Sequence, residues 1–199
     1  MLRSLTRTAV AGALLLALAA PPPALAFDGQ ATPVQPAERS VYTQNELVEA
    51  GHTFFGETSA ELATMIQNVF AEFGQPNGYV LGQEGSGAVI GGLRYGEGVL
   101  NTRDMGRHPV FWQGPSVGWD FGGSGSRVMM LVYHLPSASA LYQRFTGVDG
   151  SAYVVGGLSM TVMAADDMIL VPVRTGVGAR LGVSIGYLKF TAEPTWNPF

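Results

Sequence analysis

The chain has 199 residues, 27 glycines, no cysteine and a formal net charge of −4. Without thiols it can form neither a disulfide nor a lipidated cysteine, so the fold must rest on its own packed core. Lys189 is the only lysine and no arginine cluster accompanies it, which argues against a nucleic-acid groove or a patch for anionic membranes.

Arg3 and Arg7 precede an apolar stretch from Ala9 to Ala20, which Pro21, Pro22 and Pro23 break ahead of Ala24-Leu25-Ala26. A positive start, a short apolar run and a small-x-small ending are the parts of a secretory signal peptide. The run is too short to cross a hydrocarbon core of about 30 Å as a helix. Cleavage is expected between Ala26 and Phe27, giving an exported mature chain with no transmembrane segment. Residues 27–199 keep all 15 acidic side chains and lose Arg3 and Arg7, which leaves a net charge of −6. Residues 27–40 are polar and proline-dotted and read as a flexible leader. Residues 41–199 are long enough for one domain with a sizeable core.

Two helices are expected first. Thr43-x-x-Glu46 is a capping-box pattern before a short helix ending at Gly51, and Thr58-x-x-Glu61 is a second before a helix to Phe73, with Gly74 and Pro76 beyond. In the second, Leu62, Ile66 and Phe70 recur every fourth residue, flanked by Met65, Val69 and Phe73 and opposite Thr64, Gln67 and Asn68. Such a stripe is a face that packs on a sheet.

From Tyr79 the chain turns to strands separated by glycine. The candidates are 79–84, 87–95, 97–102, 109–113, 116–121, 127–134, 151–164, 168–174, 177–181 and 184–191, with a short helix from Pro136 to Arg144. Asp149-Gly150 and Asp166-Asp167 read as hairpin turns, and Gly122-Gly123-Ser124-Gly125 as a loop. Val117, Trp119 and Phe121 alternate with polar or small residues, as in a strand with one apolar face. Val128 to Tyr133 and Met168 to Val171 are apolar throughout, which requires cover on both faces. The fold expected is mainly β with N-terminal helices, an α+β chain built as a small soluble β-barrel-like domain of about ten antiparallel strands. A two-sheet β-sandwich is the alternative.

Familiar catalytic patterns do not hold up. Gly114-Pro115-Ser116-Val117-Gly118 matches G-x-S-x-G, but the elbow that motif describes needs a helix after the serine, and here a strand pattern follows. The same pattern recurs at Gly182 to Gly186, with no histidine downstream. The pairs at Gly96, Gly123 and Gly176 lack the third glycine of a dinucleotide loop. His52, His108 and His134 are too scattered for a metal signature, so neither a metal nor a cofactor is expected. Asp166 and Asp167, adjacent in an extended chain, would face opposite ways. Glu84, Glu97 and Asp120 are the carboxylates whose meeting in space the sequence leaves open. The aromatics Trp112, Trp119 and Phe121 are the candidate ligand-binding residues; Phe111-Trp112 and Trp119-x-Phe121 fall on neighbouring strands and read either as core or as the lining of an apolar or sugar-binding surface.

The blocks from Gly114 to Gly123, Val132-Tyr133 to Leu141-Tyr142, Gly147 to Gly157 and Arg174 to Gly182, with the ending Pro194 to Phe199, resemble the EipA (envelope integrity protein A) family of Gram-negative periplasmic proteins. The resemblance covers about residues 41–199. It implies a periplasmic, β-barrel-like protein that supports envelope integrity and carries no enzymatic motif. Pro115-Ser116-Val117-Gly118, residues 128–144 and the stretch from Gly176 to Gly186 are also similar to the SYLF lipid-binding domains, from which the acidic balance of this chain departs. Together these imply a non-enzymatic protein whose partner is a lipid or other apolar envelope component. A glycan- or peptidoglycan-binding module is the alternative, with an unrecognised enzyme behind it.

Overall fold

A computed structural model describes residues 40–56, 60–87, 93–115, 126–148, 151–175, 186–195 and 197. The expected cleavage site at Ala26 and Phe27, Thr58, the strands at 116–121 and 177–181, and the turns at Asp149-Gly150 and Gly122 to Gly125 lie outside them.

The first helix, α1 (Gln44–Phe55), starts as expected. Thr43 N–H donates to Glu46 Oε2 at 2.8 Å and Glu46 N–H donates to Thr43 Oγ1 at 3.4 Å, so each side chain satisfies an amide that the first turn leaves unpaired. It runs through Gly51 rather than stopping there, and ends at Gly56, which takes φ 77°. Gly51 serves packing: a Cβ there would sit 2.7 Å from Leu62 Cδ2 of the neighbouring helix. Arg127 Nη1 donates to the Phe54 and Phe55 carbonyls, at 3.0 and 2.8 Å, covering the exposed end of α1. Helix α2 (Ala60–Phe73) buries Leu62, Met65, Ile66 and Val69 and ends at Gly74, as the stripe requires.

Ten strands follow among the described residues: β1 (Gly78–Gly87), β2 (Leu93–Thr102), β3 (Arg107–Pro115), β4 (Ser126–Tyr133), β5 (Arg144–Gly147), β6 (Tyr153–Val155), β7 (Leu158–Met160), β8 (Met163–Ala165), β9 (Met168–Thr175) and β10 (Tyr187–Thr191). All pairings are antiparallel. Eight strands close a ring in the order β4-β1-β2-β3-β10-β5-β8-β9, with β9 returning to β4. Ring closure excludes the two-sheet sandwich. Strand β7 pairs with β9 beyond β8, and β6 adds a hairpin to it.

Several boundaries differ from expectation. Of the expected strand 87–95, Gly87 ends β1, residues 88–92 lie outside the described residues, and Leu93 to Tyr95 join the expected 97–102 in one β2, because Gly96 continues the pairing. The expected strand 151–164 is three pieces. Gly156 and Gly157 both take positive φ, at 56° and 79°, and turn β6 into β7. The break between β7 and β8 lies opposite Pro172, which has no N–H to donate. The expected helix to Arg144 is a 3-10 turn, Ala138–Leu141, followed by β5. The hairpin at Asp166-Asp167 is present, between β8 and β9.

The continuous apolar strands have cover on both faces. Val128, Met130 and Val132 of β4 point into the barrel, with Leu170, Phe145 and Phe190. Met129, Leu131 and Tyr133 point outward and lie in one cluster with Leu47 of α1 and Leu62, Met65, Ile66 and Val69 of α2. The barrel therefore has a filled interior and a second core under its helices.

Candidate functional site

The register fixes one row across the barrel interior. Glu84 faces Gly96, Gly96 faces Trp112, and Trp112 faces Phe190. Gly96 lies beneath the indole: a Cβ there would fall 2.1 Å from Trp112 Cε2, and one at Gly82 would fall 2.6 Å from Trp112 Cη2. The glycines of β1 and β2 thus make the bay that the largest side chain of the core occupies. Trp112 packs on Phe190 with ring centroids 5.8 Å apart and donates from Nε1 to Glu84 Oε2 at 3.2 Å.

Glu84 is the centre of a buried charge cluster. Arg174 Nε donates to Glu84 Oε1 at 2.7 Å, and Arg94 Nε lies 3.8 Å from the same oxygen. Strand parity sends all three side chains inward, since Arg94 pairs with Ser86 on β1 and Arg174 with Val128 on β4. Burial by itself would raise the Glu84 carboxyl, but Arg174, Arg94 and the Trp112 hydrogen bond outweigh it and hold the group below its ordinary value. A carboxylate held ionised in this way accepts hydrogen bonds at neutral pH and is not poised to donate a proton. Burial and the neighbouring Arg174 lower Arg94, with Glu84 opposing, yet a guanidinium keeps its charge in any protein setting. One buried and one half-buried cation face one buried anion.

The second feature is a cleft of about 420 Å³ on the wall of β1, β2 and β3. It is bordered by Gln83, Tyr95, Glu97, Phe111 and Gln113, by Glu84, Gly85, Gly96 and Trp112, and by Pro194 and Thr195 of the segment after β10. That segment doubles back along the wall. Gln113 Nε2 and Lys189 Nζ each donate to the Asn197 carbonyl at 3.5 Å, and Gln113 is only 1% exposed despite its outward parity. Tyr95 and Phe111 are half-buried, while Gln83 and Glu97 are exposed and joined by a 3.4 Å hydrogen bond.

Of the candidate aromatics, Trp112 lies in the core row and touches the cleft, and its neighbour Phe111 faces the other way. Trp119 and Phe121 lie outside the described residues, as does Asp120. Glu84 and Glu97 take opposite faces of the wall. The pairing of Glu84 with Arg174, 90 positions apart, is invisible to spacing. Parity carries the signal: Glu84 follows the inward Gly78, Val80 and Gly82 on β1, and Arg174 follows the inward Met168, Leu170 and Pro172 on β9. Among the described residues no group of three histidine, aspartate or glutamate side chains could hold a metal, and no helix is long and apolar enough to cross a membrane.

Closed antiparallel pairing, a filled interior and a helical cover over one wall define a small helix-capped β-barrel protein. The family model for Envelope integrity protein A (EipA) matches residues 40–199, and the chain belongs to that family. It is similar to a solved structure from Brucella abortus described as a beta-barrel-like, uncharacterized protein. The two are 61% identical, with a TM-score of 0.75, over 80% of this chain and 99% of that one. No curated protein matches the chain.

Proposed function

We propose that this EipA-family protein is exported to the periplasm after cleavage between Ala26 and Phe27, and that it supports the envelope there without catalysis, by holding a glycan segment in the cleft of β1, β2 and β3. The observation that carries the glycan reading is the composition of the cleft. Half-buried Tyr95 and Phe111 offer ring faces beside Gln83, Glu97 and Gln113. Aromatic faces suit the C–H faces of sugars, and amides and carboxylates suit their hydroxyls. The apolar-ligand reading that the sequence favoured, and that the SYLF resemblance implies, has less room. The described interior is filled by Trp112, Phe145, Phe190 and Met130, as side chains fill small barrels.

Calorimetric titration of the purified protein with soluble peptidoglycan fragments tests this reading. Saturable binding is expected, weakened about tenfold or more in Phe111→Ala, with the fragments recovered unchanged by mass spectrometry. Cleaved fragments would defeat the non-enzymatic reading. Absence of glycan binding, together with saturable uptake of a fluorescent fatty acid that Phe111→Ala weakens, would return the cleft to the lipid reading.

A further inference from the structure

We infer that the barrel interior holds a binding site for a single anionic group, a phosphate or a carboxylate, formed by the guanidiniums of Arg94 and Arg174 beside Glu84. The site shares Glu84 with the border of the outer cleft, but its two guanidiniums do not border that cleft, and the inference does not depend on what the cleft holds.

The first argument is charge. Arg174 and Arg94 both address the Oε1 oxygen of Glu84, at 2.7 and 3.8 Å, so the cluster carries one positive charge more than it neutralises. A buried charge without a partner is costly, and proteins pair it or bind a counter-ion. Among the described residues, the inward neighbours Gly82, Gly96, Trp112 and Val128 supply no anion. The second argument is an unused donor. Arg174 is 8% exposed, and its Nη2 is buried without a hydrogen-bond partner. Guanidinium donors are arranged as a planar fork that matches the oxygens of a phosphate or carboxylate. Glu84 takes only the Nε–H of that fork, which leaves Nη2 for a second acceptor. The third argument is access. The side chains of Arg94 and Arg174 remain 15% and 10% exposed, and they project from the end of the barrel where β1 finishes, β2 begins and β9 finishes.

Glu84 then has a definite role. It holds both guanidiniums in place and takes up one of their two charges, so that the site accepts one anion and releases it. Glu84→Gln keeps the acceptor oxygen and removes the charge, and it is expected to tighten anion binding.

The test is titration of the purified protein with inorganic phosphate at constant ionic strength, chloride making up the balance, read by calorimetry and by the shift in melting temperature. Wild type is expected to bind phosphate saturably at one site. Arg174→Gln and Arg94→Gln are each expected to weaken it about tenfold or more, the usual loss for a charge-assisted hydrogen bond, and Glu84→Gln to strengthen it. If Arg174→Gln does not fold, the more accessible Arg94→Gln carries the comparison. Flotation with phosphatidylglycerol vesicles, but not phosphatidylcholine vesicles, lost in Arg94→Gln, would identify a lipid headgroup as the source of the anion. Phosphate binding without flotation would identify a small soluble anion. Absence of saturable binding of phosphate and acetate by wild type, or binding that both arginine variants leave intact, would overturn the site. No glycan is present in these titrations, so their failure leaves the reading of the cleft untouched.

Discussion

Two walls of the same barrel are built by different rules. Through its middle the wall of β4 and β9 is apolar on both sides, with Met130 and Leu170 inside and Leu131 and Val171 outside under the helices. The wall of β2 and β3 packs apolar side chains such as Leu100, Val110 and Trp112 only on its inner side, beside the inward Arg94. Its outer side presents Tyr95, Glu97 and Phe111, with Gln113 buried beneath a returning strip of chain rather than a helix. The contrast separates stability from recognition. Where a strand is sandwiched between two cores it has no surface left to offer, whereas a wall with one core can present polar groups and rings at fixed strand spacing without risk to the fold.

The largest expected effect breaks the doubly covered wall. Leu131 is fully buried between β4 and the helices, and Leu131→Ala should cost about 2–5 kcal/mol, the range for a cavity in a core that cannot collapse. Gln83→Ala, on the outer side of the bare wall, should fall within about 0.5 kcal/mol of wild type. Urea unfolding of the two variants checks the contrast, and equal losses would show that the walls do not differ.

A smaller loss is expected at the crossing of the two helices. In Gly51→Ala the new Cβ would press on Leu62 Cδ2 at 2.7 Å and on Met129 Sδ at 3.3 Å. Overpacking of this kind costs about 1–3 kcal/mol, here toward the lower end because the nearest atom is the tip of a side chain. An unchanged melting temperature would mean that the helices separate freely at that point, and that the second core is looser than the first.

The covered wall was also the more legible one. Uninterrupted apolar runs at Val128 to Tyr133 and Met168 to Val171 require two covers, and the stripe on α2 supplies one of them. The bare wall was harder to read because its decisive features are non-local. Gly96 has no meaning until Trp112 lies over it, and Glu84 none until Arg174 arrives from a strand far along the chain. Glycine misled in both directions. Gly51 looked like a helix end and is a packing contact, while Gly156-Gly157 looked like strand and is a turn. Four-residue β5 carries too short a pattern to outweigh the helix signal at Pro136-Ser137 before it.

A gain rather than a loss is expected at Tyr133. Its ring packs against Phe73 of α2 at 5.8 Å, but its hydroxyl is buried with no hydrogen-bond partner, and burial pushes its ionisation well above the ordinary tyrosine value. An orphaned buried hydroxyl is a standing cost. Tyr133→Phe removes it while keeping the ring, and should raise stability by about 1 kcal/mol. A fall in the urea midpoint would show that the hydroxyl is satisfied in solution and that water reaches beneath the helices.

The smallest effect lies at the start of the covering helix and is read by pH. The Glu46 carboxylate accepts hydrogen bonds from Arg103 and from the backbone and side chain of Thr43, which lower its value from 4.5 to about 2. Because the folded value lies below the ordinary one, folding favours the ionised form. The contribution is complete above about pH 4.5 and is lost as the pH falls toward about 2. Both side chains are well exposed, at 40% for Arg103 and 45% for Glu46, so solvent and salt reduce the net worth of the pair to about 0.5 kcal/mol. Glu46→Gln should therefore lie slightly below wild type in melting temperature at neutral pH, and the gap should close across that acid window. Added salt at neutral pH should narrow the gap as well, because the ion pair with Arg103 is screened while the Thr43 bonds are not. A gap that stayed constant from neutral pH down to pH 2 would place the contribution of Glu46 in its shape as a cap rather than in its charge. The anchoring of α1 to the β2–β3 turn through Arg103 would then add nothing to the cover that distinguishes one wall of the barrel from the other.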